Sequence, residues 1–408
     1  MLSVEAARSR ILASLTPCEP ILVSIGEAAG LVLAEDQFAP HPLPRFDNSA
    51  MDGYAVRSED VESASDGYPV ELKVVGEVRA GAAGDAAIGL GEAVRIMTGA
   101  PVPPGADAVV PVEVKSEDEG LVSISAAASP GSYVRPAGED LGTGDRLVAA
   151  GEVLTAGEMA LLASLGCSPL RVHRKPKVAV LVTGDELVAP EAEVGPGQIR
   201  DSNSVALTAL VREAGGAPMT FPTVRDDRDA TIDALRRAAE AADLVVSSGA
   251  VAVGRYDFVK EAIEELGRID LWKVAMQPGK PVVSGSIGIT PFLGLPGNPV
   301  SIHISFEQFV RPAIRRMRGC RTLLRPRISA RLAYELIKPA GRQHFVRVRL
   351  AHDGDGWMAT PTGHQGSHIQ SSLVGCDGVA IFPREEMTLE TGAEVTVEVW
   401  RLPATEGE

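Results

Sequence analysis

The sequence predicts a multidomain α/β plus β protein. Its parts are a central doubly wound α/β domain, an inserted small β domain, a helical or extended N-terminal part and a C-terminal β-barrel. Three observations carry this. Between Lys177 and Cys320, short apolar runs alternate with helical patterns, as in a parallel sheet covered on both faces. On either side of that stretch, short alternating strands and tight turns replace the helices. At 408 residues and 45% hydrophobic composition, the chain exceeds one ordinary core and calls for several.

Taken in order, residues 3–15 read as an amphipathic helix ended by Pro17. Ser24-Ile-Gly-Glu27 has the form of a capping box with Gly30 as a stop, so a second helix is expected. The Pro-rich run Ala39–Asn48 cannot be regular helix and reads as a linker. VELKVVGEV, EAVRIMTG, DAVVPVEVK and LVSISAAA then supply the strands of a small β domain over 46–140. Thr155-Ala-Gly-Glu158 is another capping box, opening a helix that ends at Gly166. Its likeness to the N-terminal segment predicts that 1–45 and 141–175 form one discontinuous helical and linker domain, with the β domain inserted. Residues 176–322 form the α/β domain. RISARLAYEL, HFVRVRLAH, GVAIFP and AEVTVEVW fill 323–408 as a β-barrel.

The net charge of −15 argues against nonspecific nucleic-acid binding, which depends on neutralising phosphates. It leaves room for a small anion held by local Lys, Arg or Mg²⁺. No apolar run approaches the ~18 residues that span a bilayer. The N-terminus reads as a helix and not as a signal peptide. Cys18, Cys167, Cys320 and Cys376 form no Cys-x-x-Cys pair, so neither zinc nor a disulfide framework is expected, and a reducing cytoplasm is the simplest home.

Ligands of open α/β sheets sit beyond the carboxyl ends of the strands. Here those ends hold Asp185, Glu186, Asp226, Asp227 and Asp257. Helix-dipole complementation explains one such acid. Several together point to a metal or a proton role, and Mg²⁺ prefers such oxygen ligands. In Thr183-Gly184-Asp185-Glu186, Gly184 lets the backbone approach a ligand. SSGAVAVG (Ser247–Gly254) and GLPGNPVS (Gly294–Ser301) read as strand–turn–helix junctions suited to phosphate. Neither is a P-loop, and no G-x-G-x-x-G follows a strand. Lys273 and Lys280 add positive charge near the strand ends. Asp52, Thr98, Arg135 and Asp140 crowd the β domain, where, taken alone, turn chemistry, a strand end and surface pairing account for them better than a site does. His364 and His368 would suit a metal only on a helix, which the glycines of TGHQGSHIQSS oppose.

Together PRFDNSAMDGYAV, RIMTGAPVP, RPAGED, VTGDEL, SSGAVAVG, YDFVK, PGKP and GLPGNPVS, in that order, resemble the molybdopterin molybdenumtransferases, the MoeA / gephyrin E-domain family. The resemblance covers nearly the whole chain. It implies a four-domain, elongated homodimer that inserts molybdate into adenylylated molybdopterin with Mg²⁺-dependent release of AMP. It places the cleft between the α/β domain of one subunit and the β domain of the other. Carried over by motif, the reacting groups are Asp52, Thr98, Asp140, Glu186, Asp226 and Asp257, with Glu186, Asp226 and Asp257 as metal ligands. Arg135, Thr183, Gly184, Ser248, Gly249, Gly254, Lys273, Lys280, Pro296, Gly297 and Asn298 are the implied substrate-binding set. Implied partners are a molybdopterin adenylyltransferase and molybdoenzymes, with no nucleic acid and no membrane. The chain departs from the family at Ala250 and Ala252, where SGGVSVG is usual, and at Gln277, where some members carry Lys. A gephyrin-like scaffold or a cofactor carrier is the alternative reading.

Overall fold

The structure is a computed structural model and describes residues 1–82, 87–112, 115–118, 120–249 and 258–403. At its centre is a six-stranded sheet in the order 217–220, 177–182, 244–248, 290–295, 283–287, 267–272. The first four strands run parallel. The last two pair antiparallel, so the sheet is mixed where the apolar runs predicted a parallel one. The cause is local: Gly288 at φ +55° turns Val283–Ile287 directly into Thr290–Leu295, leaving no crossover helix between them.

Alternate residues of the central strands face two cores, as a sheet buried on both faces requires. Val178, Val180, Leu244 and Val246 pack with the helices Asn203–Glu213 and Pro299–Ser305. Ala179, Leu181 and Val245 pack with Arg228–Ala241 and Phe258–Leu266. The chain leaves Lys177–Val182 first toward Ala217–Thr220 and then, in the other direction, toward Leu244–Ser248. The crevice between strands 177–182 and 244–248 is thus the topological switch point.

The N-terminal helix Val4–Ala13 is capped by the Ser3 side chain, which accepts the Ala6 N–H. Its Val4, Ala7 and Ile11 join the core of the α/β unit beside Ile314, and not a helical N-terminal domain. The expected second helix is absent: Ser24 binds Glu27 at 2.7 Å, but the result is only the 3₁₀ turn Ile25–Glu27. Strand pairing takes over the rest of that segment. Pro20–Val23 and Val32–Leu33 flank Leu170–His173, and Gln37–Phe38 pairs with Arg146–Val148. Ala28, Leu33, Leu154, Leu162 and Val172 close a small core there.

Between these halves lies a six-stranded β unit in the order 108–111, 53–56, 92–96, 70–78, 121–124, 115–118. At the C-terminus, strands 343–352, 357–361, 327–332, 394–399 and 378–382 close into a five-stranded barrel, since 378–382 pairs back onto 343–352. Met276–Gln277 adds alongside Gln343–His344 and joins the barrel to the α/β unit.

Candidate active site

A cavity of about 480 Å³ opens at the switch point. Thr183, Gly249 and Pro296–Gly297 wall it, one group from beyond each of three parallel strands. Thr183 is buried, and its N–H donates to the Ser248 carbonyl at 3.1 Å. Gly184, at φ +147°, donates to the Val224 carbonyl at 3.1 Å. A Cβ on Gly184 would lie 2.7 Å from Glu186 Oε2, so glycine there lets the Glu186 carboxylate fold back over the strand end. Glu186 lines the cavity.

Asp226 is brought beside this acid pair. Its N–H donates to Asp185 Oδ1 at 3.3 Å. Desolvation, together with the negative charges of Asp185 and Glu186, holds the Asp226 carboxyl above its ordinary range, against an opposing hydrogen bond from the Asp185 backbone. Among the described residues no group of three His, Cys, Asp or Glu is arranged to hold a metal. Asp257 and Gly254, expected at this site, lie outside the described residues, as do Ala250 and Ala252. Of the acids expected to hold Mg²⁺, which takes one or two carboxylates and fills its shell with water and phosphate oxygens, Glu186 lines the cavity and Asp226 does not.

A second cavity of about 340 Å³ shares Pro281, Pro296 and Asn298 with the first. Lys280 and Arg342 line it, with Gln277, Ser301 and the barrel loop Gln365–Ser367. Asn298 Nδ2 donates to Ser367 Oγ at 3.0 Å and holds that loop against the turn. The fully buried Arg347 supports the loop from beneath, donating to Ser372 Oγ at 2.7 Å and to the carbonyls of His364 and Gly366 at 3.3 Å each. His364 and His368 stand 6.4 Å apart between ring centroids on a non-helical loop. Lys273 has φ +74°, uncommon for a side-chain-bearing residue, and its N–H donates to the Val282 carbonyl at 3.1 Å.

Thr98 donates its N–H and its hydroxyl to Asp52 in the β unit. Arg135 pairs with Asn48 across a short ladder, and the Asp140 N–H donates to the Leu43 carbonyl at 3.0 Å. None of Asp52, Thr98, Arg135 and Asp140 lines either cavity. A single chain therefore splits the expected set into an α/β group and a β group. Sequence reasoning missed Arg200, Asn203 and Arg342, and it singled out the segments holding Ser301 (GLPGNPVS) and Gln365 (TGHQGSHIQSS) without giving either residue a role. Asp201-Ser-Asn203 at a helix start was an available signal for the first cavity.

A family model described as a probable molybdopterin binding domain matches residues 179–316. Models of the MoeA N-terminal region (domain I and II) and the MoeA C-terminal region (domain IV) match 2–166 and 329–400. Fold and cavity thus define a multidomain protein built around an α/β domain of the molybdopterin-binding class. Molybdopterin molybdenumtransferase 2 of Mycobacterium tuberculosis is 40% identical, over 98% of this chain and 100% of that protein. Molybdopterin molybdenumtransferase of Haemophilus influenzae is 36% identical over 98% of each. A crystal structure of a molybdopterin biosynthesis MoeA protein from Pyrococcus horikoshii superposes with a TM-score of 0.86 at 36% identity, over 98% of this chain and 99% of that one. The chain belongs to the MoeA family.

Proposed function

We propose that this protein acts in molybdenum cofactor biosynthesis as a molybdopterin molybdenumtransferase. It inserts molybdate into adenylylated molybdopterin with Mg²⁺-dependent release of AMP. The observation that carries this reading is the pair of adjoining cavities at the strand ends, one lined by the Glu186 carboxylate and the other by Lys280 and Arg342. The relatives named molybdopterin molybdenumtransferase, similar over their full length, support it.

In this reading the backbone of the Gly249 and Gly297 turns receives the phosphates of the pterin nucleotide. Lys280 and Arg342 hold the oxyanion substrate by charge-assisted hydrogen bonds, with Ser301 and Ser367 as neutral donors. Glu186 and Asp226 would hold Mg²⁺, with Asp257 as the third acid by sequence. When bound, Mg²⁺ draws charge from the phosphoanhydride oxygens. Asp52, with one oxygen saturated by Thr98, and Arg135 and Asp140 act on the cavity of a partner subunit in a homodimer. That arrangement accounts for their absence from the cavities of their own chain. No helix of the described residues is long and apolar enough to cross a membrane, and a cytoplasmic site of action is part of the proposal.

The test is AMP release from adenylylated molybdopterin, with and without molybdate and Mg²⁺. Release that needs both ions is the expected result. Tight binding without release would replace this reading with a carrier or a scaffold. Gln277, which lines the cation-bearing cavity, would then be the first residue to exchange for Lys.

A further inference from the structure

Asn203 is the first residue of the helix Asn203–Glu213 and lines the larger cavity. Its Nδ2 donates to Ser248 Oγ at 3.2 Å and to the Gly297 carbonyl at 2.9 Å. The two acceptors belong to different junctions. Ser248 ends the strand Leu244–Ser248, and Gly297 lies in the turn after Thr290–Leu295. The ladder between those strands stops at Ser248 and Leu295. Beyond it the turns run in close contact, since a Cβ built on Gly297 would lie 3.5 Å from Gly249 Cα. The backbone bond joining them there, Gly249 N–H to the Leu295 carbonyl, is long at 3.4 Å. The Asn203 amide thus links both turns where the ladder weakens.

The helix does not need this amide. Asp201 caps it, accepting the Ser204 N–H on Oδ1 at 2.9 Å. Asn203 has only ordinary helix propensity, and an acid in the first turn is at least as favourable as an amide. Helix formation therefore leaves the choice of residue unexplained, whereas two acceptors facing one NH₂ group explain it.

We propose that Asn203 is a positioning residue. It sets the spacing of the Ser248–Gly249 and Pro296–Gly297 turns that receive the pterin nucleotide. The proposal rests on the functional reading above.

Two variants test it. Asn203→Ala removes both donors without adding charge. Asn203→Asp keeps the size, suits the helix start and turns the donor into an acceptor facing the Gly297 carbonyl. Equilibrium binding of adenylylated molybdopterin is measured without molybdate or Mg²⁺, so that no turnover intervenes, alongside amide hydrogen exchange over 244–249 and 293–299. Both variants should bind about tenfold more weakly, and exchange over both turns should quicken, with melting temperatures within about 2 °C of wild type. Binding by Asn203→Ala equal to wild type overturns the proposal. So does a loss confined to Asn203→Asp, which would be charge repulsion. A wild-type chain that binds no nucleotide sinks the functional reading instead. The exchange measurement then still decides the clamp, because unchanged exchange in Asn203→Ala removes it.

Discussion

Thr98 donates to a single oxygen of Asp52 twice, from its N–H at 2.7 Å and from its hydroxyl at 2.8 Å. Among the described residues, no side chain or backbone N–H bonds Asp52 Oδ2. The backbone and side-chain bonds from Thr98 hold the Asp52 carboxyl below its ordinary range. A depressed carboxylate pKa means stability present above the unfolded value and lost as pH falls through the folded one. Thr98→Val keeps the N–H bond and removes the hydroxyl. The Asp52 titration, followed by carboxyl ¹³C chemical shift, should move upward toward the ordinary value. AMP release should fall about fivefold to tenfold, the effect of one charge-assisted hydrogen bond. An unmoved titration would show that the hydroxyl bond does not form in solution.

Asp226 sits against Asp185 and Glu186, so each carboxylate removed relieves repulsion as well as deleting a ligand. Asp226→Asn and Glu186→Gln should each lower Mg²⁺-dependent AMP release by about 100-fold or more, with partial recovery at high Mg²⁺. Asp185→Asn should cost far less and should lower the Asp226 pKa, because it removes the Asp185 charge and keeps the backbone N–H that bonds the Asp226 carboxylate. Mg²⁺ titration of all three separates the roles. Unchanged Mg²⁺ dependence in both of the first two would remove these acids from the proposed metal site.

The parts of the site readable in sequence are those that one strand and its next turn create. Thr183–Glu186 and GLPGNP declare themselves because an apolar run ends in Gly and polar residues, and the chain has only one place to put them. Arg342 and Gln365 belong to the same floor, yet they arrive through the pairing of Met276–Gln277 with Gln343–His344. No local pattern announces a ladder between segments so distant in sequence. The N-terminal error is of another kind. Ser24 and Glu27 do bond, but a capping interaction contributes only about 1 kcal/mol. The strands on both sides of it, paired to Leu170–His173, bury Leu33 and Val172 and decide the conformation.

His344 sits in the barrel strand that joins the α/β unit, and its Nε2 is buried without a hydrogen-bond partner. Burial, then the charges of Arg347, Lys338 and Arg342, push its pKa down to about 4. The unfolded chain takes up this proton near pH 6.5 and the folded chain does not. Stability is therefore complete above about 6.5 and falls as pH drops toward about 4, by on the order of 3 kcal/mol. His344→Leu should flatten that segment of the stability–pH curve in urea titrations. A wild-type curve already flat between those limits would contradict the buried neutral imidazole.

Glu307 lies in the π-helical segment Phe306–Val310 and accepts Arg325 on both oxygens at 2.9 Å. Its side chain is 2% exposed, and that of Arg325 19%. Removing one partner of such a pair leaves an unpaired charge out of water, so Glu307→Gln should destabilise the fold by about 3–5 kcal/mol. Glu307→Met with Arg325→Met should recover only part of that loss, because Arg311, 3.9 Å from Glu307 and 11% exposed, is left without its acid. Denaturant unfolding of the single and double variants reads the difference directly. A single variant within about 1 kcal/mol of wild type would mean that water reaches the pair.

Gly249 combines φ +105° with a neighbour that allows no Cβ, since one built there would lie 2.7 Å from the Thr183 carbonyl oxygen. Gly249→Ala must therefore shift either the turn after Leu244–Ser248 or the strand end at Thr183. Both walls belong to the larger cavity. The backbone conformation alone costs about 1–3 kcal/mol in a residue with a side chain. Global stability need not fall by that amount, because the turn can relax outward and sacrifice the long Gly249 N–H bond to Leu295. The cavity then bears the cost. Binding of adenylylated molybdopterin should drop at least about tenfold while the melting temperature falls by no more than about 5 °C. Binding kept at wild-type strength would mean that the nucleotide does not approach this turn, and the phosphate cradle would have to be sought elsewhere along the strand ends.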